Sequence, residues 1–317
     1  LVETCFNDAI VAYYDPHSSY FSYHEKKLFE AMVSTTEETF GLHINQKDNG
    51  QYYVSDLIAG GKAWKSNLIH EEDEITALSI DGTQFNLSCT SIQLIYKGLT
   101  DPVSKELYIK VKTAERKDVE MTLNKETLKV DDNTIKSFVL HGDKTIGYVS
   151  IPSFYTDFED SEGTKGVAED VAKEIIKIKR ENLDGLIVDL RFNGGGSVQE
   201  AIEFTGLFIP DGPIGIMEST GSEKPYTMYD TKRGQIYSGP LVVMINRYSA
   251  SASEILAGAL QDYNRAIIVG SRSYGKGSGQ STYDVDQYEQ KHSYGYLKIT
   301  DTKLYRVDGT SNQLRGV

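Results

Sequence analysis

At 317 residues the chain is long enough for two or three domains with sizeable cores. A formal net charge of −13 argues against nucleic acid or anionic lipid as partners. Hydrophobic residues at 39% and charged residues at 25% are ordinary for a globular chain, and no run of 18 apolar residues offers a membrane span. Cys5 and Cys89 form no metal motif, and their spacing does not say whether they pair. The chain opens at "LVETCFNDAI" without methionine and stops at "NQLRGV", so both ends are expected to be trimmed.

Residues 1 to about 37 carry helical spacing in two pieces, broken at "YYDPHSSYF", where Asp15-Pro16 favours a turn. From Phe40 to about Leu123 the pattern is mostly strand. "GQYYVSDLI" ends in the turn residues Gly60-Gly61, and "GKAWKSNLIHEEDEITALSIDG" reads as short helix, loop, strand and an Asp81-Gly82 turn. "ELYIKVKTA" and "KDVEMTLNK" alternate apolar and polar residues, as half-buried strands do. From about 126 strands alternate with helices. "KTIGYVSIPSF", "LDGLIVDLRFNGGGS", "GPLVVMINRYSAS" and "AIIVGSRSYGKGSGQS" are the strands with their following loops. "VAEDVAKEIIKIKREN", with apolar positions 171, 172, 175, 176 and 178, "VQEAIEFTGLFI" and "EILAGALQDYN" are the helices. This alternation predicts a largely parallel sheet with chemistry at the strand ends.

Three features bear on chemistry. The first is "RYSASASEILAGALQDYNR", with Ser249, Ser251 and Ser253 at alternate positions where a strand enters a helix. Such a corner aims N–H groups and the positive end of the helix dipole at one point. It suits an oxyanion, and it equally suits plain helix capping and tight packing, so only one serine is expected to face a cleft. No histidine among His17, His24, His43, His70, His141 and His292 lies near in sequence to serve as base. The second feature is Lys276 in "SYGKGSGQ". An ordinary lysine has a pKa of about 10.4 and is almost wholly charged at neutral pH, but burial lowers it by up to about 3–5 units, as Ser-Lys catalysis requires. The alternative is a solvated loop lysine. "GSRSYGK" also fits the start of a phosphate-binding G-x-x-x-x-G-K loop, yet Gly277 stands where Ser or Thr would hold Mg²⁺. The third is the triple glycine of "DLRFNGGGS", which allows close backbone approach and an oxyanion hole, or is a plain βα turn.

The chain resembles the tail-specific, or C-terminal processing, serine peptidases. The resemblance rests on "YDPHSSYF", "GYVSIPSFY", "GLIVDLRFNGGG", "GLFIPDGPI", "PLVVMINRYSASASEILAGALQDYNRAIIVG", "SYGKGSGQ" and "LYRVDGTSNQLRGV", and it covers nearly the whole chain. It implies Ser251 as nucleophile, Lys276 (25 positions on) as base and Gln280 as the residue orienting that lysine. The oxyanion hole is then the N–H of Ala252 with that of Gly195 or Gly196. Asp262 matches a family aspartate of unassigned role. The implied fold is mixed α/β: an N-terminal helical segment (1–37), a PDZ-like β-rich domain (38–125) and a ββα-type peptidase core (126–317) related to the crotonase/Clp-like fold.

In a PDZ domain a loop of free N–H groups takes a substrate's C-terminal carboxylate and the tail adds as a strand. Here that loop is Gly41, Leu42, His43 and Ile44, with His43 where the family often has glycine. The resemblance further implies protein or peptide substrates with free C-termini, no cofactor, no metal and a periplasmic, envelope or secreted location. Two rival functions are a non-catalytic binding module on the same fold, as in retinoid-binding relatives, and nucleotide binding through "GSRSYGK".

Overall fold

The computed structural model of the chain describes residues 2–22, 25–26, 29, 36–101, 103–129, 135–156, 166–231, 234–286 and 294–317. Helix α1 (Val2–Tyr14) stops where Pro16 disfavours helical backbone at Asp15, and the Asp15 carbonyl accepts the Ser18 N–H in a turn. The chain leaves the turn extended, as β1 (Ser19–Phe21). The second helical piece expected before residue 37 lies largely outside the described residues. Contacts gather the chain into two compact units: described residues 2–22 and those from 135 on in one, and 25–26, 29 and 36–129 in the other.

The 36–129 unit contains β2 (Thr36–Thr39), β3 (Leu42–Gln46), β4 (Tyr52–Leu57), α2 (Lys62–Ser66), β5 (Glu74–Ile80), β6 (Thr83–Gln84) and α3 (Ile92–Thr100). It ends with β7 (Glu106–Lys112), β8 (Asp118–Asn124) and β9 (Glu126–Lys129). Strands run antiparallel in the order β3-β4-β5-β7-β8, with β6 on β5. Period-two alternation does what it predicts. Leu107, Ile109 and Val111 of β7 are fully buried with Ile44, Val54 and Ile95, while the flanking Glu106 and Lys112 are exposed. Asp81 and Gly82 both take positive φ (47° and 77°), which a two-residue hairpin turn between β5 and β6 requires. Strands β2 and β9, where the sequence places its boundaries near 37 and 125, pair with each other as a separate ribbon.

In the other unit, β10 (Lys136–His141), β11 (Thr145–Ser150), β12 (Gly185–Asp189), β15 (Leu241–Ile245) and β16 (Ile267–Gly270) form one sheet in that order. Only the β10–β11 pairing is antiparallel. Helices α4 (Val167–Ile178), α5 (Val198–Gly206) and α6 (Ala252–Asp262) connect its strands. The β12 and β15 sequences are nearly all apolar because such strands are covered on both faces. The buried face of α4 is Val167, Ala168, Val171, Ile175 and Ile178; Ile176, placed in that stripe by the sequence pattern, is half exposed.

A second sheet, antiparallel throughout, has no counterpart among the elements that the sequence pattern predicts. Its centre is β18 (Tyr296–Tyr305), with β17 (Ser278–Asp284) along one edge. Strands β1 and β13 (Gly212–Ser219) share the other edge, and β14 (Tyr226–Asp230) pairs with β13. The N-terminal strand is thus stitched to the last strand of the chain.

Candidate active site

β12 and β15 are parallel neighbours, with Asp189 opposite Met244, so the Gly-rich turn and the serine loop leave the same edge of the sheet. Asn193 fastens them together. It is fully buried; its Nδ2 donates to the Ile151 carbonyl and its Oδ1 accepts the Gly195 N–H at 2.9 Å. Its own carbonyl accepts the Ala250 N–H and the Ser253 hydroxyl. On the far side of the turn, the Phe154 N–H donates to the Gly195 carbonyl and the Ser197 N–H to that of Phe154. Asp189 carries a bidentate Arg191 and accepts from the Tyr148 hydroxyl; burial pushes its pKa up, and these bonds outweigh burial to hold it below the usual carboxylate range.

The three serines have different surroundings. Ser249 and Ser253 are fully buried. The Ser249 hydroxyl donates to the Leu190 carbonyl at 2.8 Å and accepts the Asn246 N–H, while the Ser253 hydroxyl donates to Asn193. Both are structural ties. Ser251 stands at the N-cap of α6 with φ 57° and ψ −114°, a conformation L-residues rarely adopt and that is stored mostly at functional sites. Its neighbour Ala252 opens the helix, where a backbone N–H has no intrahelical partner. Gly195 presses against this corner, so close that a Cβ there would sit 2.8 Å from Ser251 Cβ and 3.1 Å from the Ala252 nitrogen. The Gly195 N–H is committed to Asn193, whereas the Gly196 N–H has no acceptor among the described residues.

Lys276 and Ser251 line one small cavity with Glu254. No hydrogen bond joins Ser251 Oγ to Lys276 Nζ among the described residues; such contacts commonly tighten only when substrate binds. Lys276 Nζ donates to Gln280 Oε1 at 2.8 Å. Burial pushes the lysine's pKa down, the Lys298 charge pushes it further, and Glu254 and Asp15 partly oppose them. Glu254 was not singled out from the sequence. It is fully buried and its carboxylate accepts the N–H groups of Ser251 (2.9 Å), Gly275 (2.7 Å) and Lys276 (2.8 Å), and the Ser273 hydroxyl (2.7 Å). One side chain therefore ties the backbone of the serine corner to that of the lysine loop. Its signal was available: Ser251-Ala-Ser-Glu254 is the S-x-x-E pattern of a helix start.

The same bonds bear on "GSRSYGK". A phosphate loop offers free N–H groups and continues into a helix. Here the Gly275 and Lys276 N–H groups are bound to a carboxylate, that of Gly277 to Gln313, and the chain continues into strand β17. Asp262 ends α6, about 16 Å from Ser251 along the helix. It pairs with Arg306, just beyond β18, and so anchors the end of the chain to α6.

In the other unit, Gly41 takes φ 82° and leads into β3, an edge strand. Leu42 and Ile44 turn their side chains into the core, and His43 pairs with Asp56 of β4 across a bulge. The Ile44 carbonyl accepts the Tyr96 hydroxyl of α3 at 2.6 Å. Among the described residues no cluster of His, Cys, Asp or Glu could hold a metal ion, and no helix is long and apolar enough to cross a membrane. Cys5 and Cys89 are exposed and unpaired.

Residues 145–317 match the model of peptidase family S41. The chain is 34% identical over 312 residues to the tail-specific protease of Haemophilus influenzae, covering 96% of this chain and 43% of that protein. It is 31% identical to the carboxy-terminal-processing protease of Bartonella bacilliformis, covering 100% of this chain and 68% of the relative. Against the H. influenzae protein, then, the chain spans under half of the relative's length. Among solved structures it is similar in fold to the photosystem II D1 C-terminal processing protease, with a TM-score of 0.53, 20% identity, and coverage of 98% of this chain and 78% of that one. The chain belongs to peptidase family S41.

Proposed function

We propose that the chain is a serine endopeptidase working through Ser251 and Lys276. The observation that carries this reading is the conjunction at one cavity: a serine in strained backbone at a helix N-terminus, and a desolvated lysine held by Gln280. Neutral Lys276 takes the Ser251 proton as Oγ attacks the scissile carbonyl. The N–H groups of Ala252 and Gly196 face the oxyanion, Gly196 being preferred to Gly195 because its N–H is uncommitted. Protonated Lys276 then gives its proton to the leaving amine, and water attacks the acyl-enzyme with the lysine again as base.

A base that must be neutral sets the sign of the pH dependence. Because the lysine pKa lies below its ordinary value, kcat/KM rises with pH through that lowered pKa. The same shift costs stability. An unfolded lysine binds its proton up to about pH 10.4 while the folded one releases it earlier, so the cost is fullest at low pH and vanishes above the unfolded value. Lys276→Met is therefore expected to be inactive yet to melt higher than the parent, with the gain in Tm larger at pH 6 than at pH 10. A lower Tm at pH 6 would contradict a desolvated lysine.

The 38–125 region acts as a PDZ-like domain that receives substrate tails along β3, and the protein works in the periplasm or cell envelope. A tail adding to β3 needs its carbonyls, and Tyr96 already occupies that of Ile44. Tyr96→Phe is expected to lower KM severalfold for an unfolded protein with an apolar free-acid C-terminus, and to leave the amidated version unchanged. Equal rates for free-acid and amidated substrates in the parent protein would remove tail selection from the reading.

A further inference from the structure

The turn "YYDPHSSYF" is about 260 residues from Lys276 in sequence, yet a continuous hydrogen-bond chain joins them. Lys276 Nζ donates to Gln280 Oε1 at 2.8 Å. Gln280 Nε2 donates to Thr300 Oγ1 at 3.1 Å and to Ser278 Oγ at 3.2 Å. Thr300 Oγ1 donates to Asp15 Oδ1 at 2.7 Å. The same carboxylate oxygen takes the His17 N–H at 2.9 Å and the Ser18 hydroxyl at 3.2 Å, and Ser18 Oγ accepts the Thr300 N–H. The turn is held there by β1 pairing with β18, Ser19 opposite Lys298.

Direction is the informative part. An amide end can present either oxygen or nitrogen to a neighbour, and a hydroxyl can donate or accept. Asp15, ionised, accepts only, so it commits the Thr300 hydroxyl to donate toward it and leaves Thr300 Oγ1 as acceptor toward Gln280. Gln280 must then turn its nitrogen to Thr300 and its oxygen to Lys276. Flipped, it would set an NH₂ donor against an ammonium, a lost bond and a repulsion.

We propose that Asp15 and Thr300 are positioning residues for the base: the Asp15 carboxylate, acting through Thr300 and Gln280, fixes which way the Lys276 amine points. The proposal rests on the reading of Lys276 as base. Asp15 is suited to the task over the working range. Burial raises its pKa, but the bonds from Thr300, His17 and Ser18 together draw it below the ordinary carboxylate value. The charged groups that act on Lys276 are Lys298 on β18, Glu254 on α6 and Asp15 in the turn, and only the last two favour its protonated form.

The test separates direction from charge. Thr300→Ser keeps the hydroxyl and is expected to retain parental kcat. Thr300→Val removes it and is expected to lose about five- to tenfold in kcat, what the one neutral hydrogen bond it accepts from Gln280 is worth, with KM unchanged. Asp15→Asn still accepts from Thr300 but lacks the charge; its plateau kcat should hold while the acid limb of the kcat/KM profile moves to lower pH. Asp15→Ala should lose kcat as Thr300→Val does and shift the acid limb as Asp15→Asn does. A Thr300→Val protein as fast as the parent, or an Asp15→Asn limb that stays in place, overturns the relay while leaving the base assignment standing. Activity retained by Lys276→Ala overturns the base assignment, and the relay with it. If Thr300→Val fails to fold, the Asp15→Asn profile alone decides.

Discussion

Ser251→Ala and Lys276→Ala are each expected to lose on the order of 10⁴-fold or more in kcat on an unfolded protein substrate, and the double variant to be no slower than either. The non-additivity follows from the chemistry: without the base the hydroxyl is not activated, and without the hydroxyl the base has nothing to activate. Ser249→Ala and Ser253→Ala provide the contrast. Their hydroxyls donate to the Leu190 and Asn193 carbonyls, each of which keeps a second donor (the Asn193 and Ala250 N–H groups), so each lost bond costs about 0.5–1.5 kcal/mol. Ser249→Ala also strips the Asn246 N–H of its acceptor, at about 1–3 kcal/mol. Both should melt lower and keep most of their activity below that melting point. Burst kinetics and a melting curve on the four single variants distinguish the cases. An inactive, stably folded Ser249→Ala beside an active Ser251→Ala would move the nucleophile.

The glycine turn yields the second large effect, and three adjacent residues supply its control. Gly194 has open space where a Cβ would stand and no positive φ, so Gly194→Ala should be near neutral in rate and stability. Gly195 sits at φ 105°, where a Cβ would meet Ser251 Cβ at 2.8 Å and the Ala250 carbonyl at 2.9 Å. Gly196 sits at φ 142°, where a Cβ would fall 2.3 Å from the Phe154 carbonyl oxygen. These neighbours are backbone or the Cβ of Ser251, and they cannot swing aside. Gly195→Ala and Gly196→Ala must therefore displace the turn from the serine corner. Losing one oxyanion donor costs about 10²–10³ in kcat, and the strained backbone adds roughly 1–3 kcal/mol of instability. Equal activity across the three alanine variants would mean that this turn takes no part in catalysis.

The elements of the fold differ in how openly they stand in the sequence. Strands β7, β12 and β15 and helix α6 are plain there, because alternation, continuous apolar runs and a small-residue helix entrance are local patterns with local causes. The Asp81-Gly82 turn is equally plain, since positive φ at two successive positions restricts residue choice. Strand β1 and the sheet around β18 are not. A three-residue strand has no period to read, and its partner lies some 280 residues downstream. The exposed Ile176 misled in the other direction: an apolar side chain at the right spacing need not be on the covered face.

The site divides along the same line. Residue types and spacing are enough to single out the serine triplet, Lys276 and the triple glycine, because each sits in a stretch whose backbone needs are written locally. They leave open which serine faces the cavity, whether Gly195 or Gly196 has a free N–H, what Asp262 does, and that Glu254, Asn193, Thr300 and Asp15 belong to the same assembly. Those answers depend on which donors and acceptors meet across distant strands. The committed hydroxyls of Ser249 and Ser253, the Asn193 oxygen on Gly195, and the bonds from Lys276 to Asp15 all arise where two sheets and a helix N-terminus converge. A buried polar group must find a partner, and packing, not sequence proximity, supplies it.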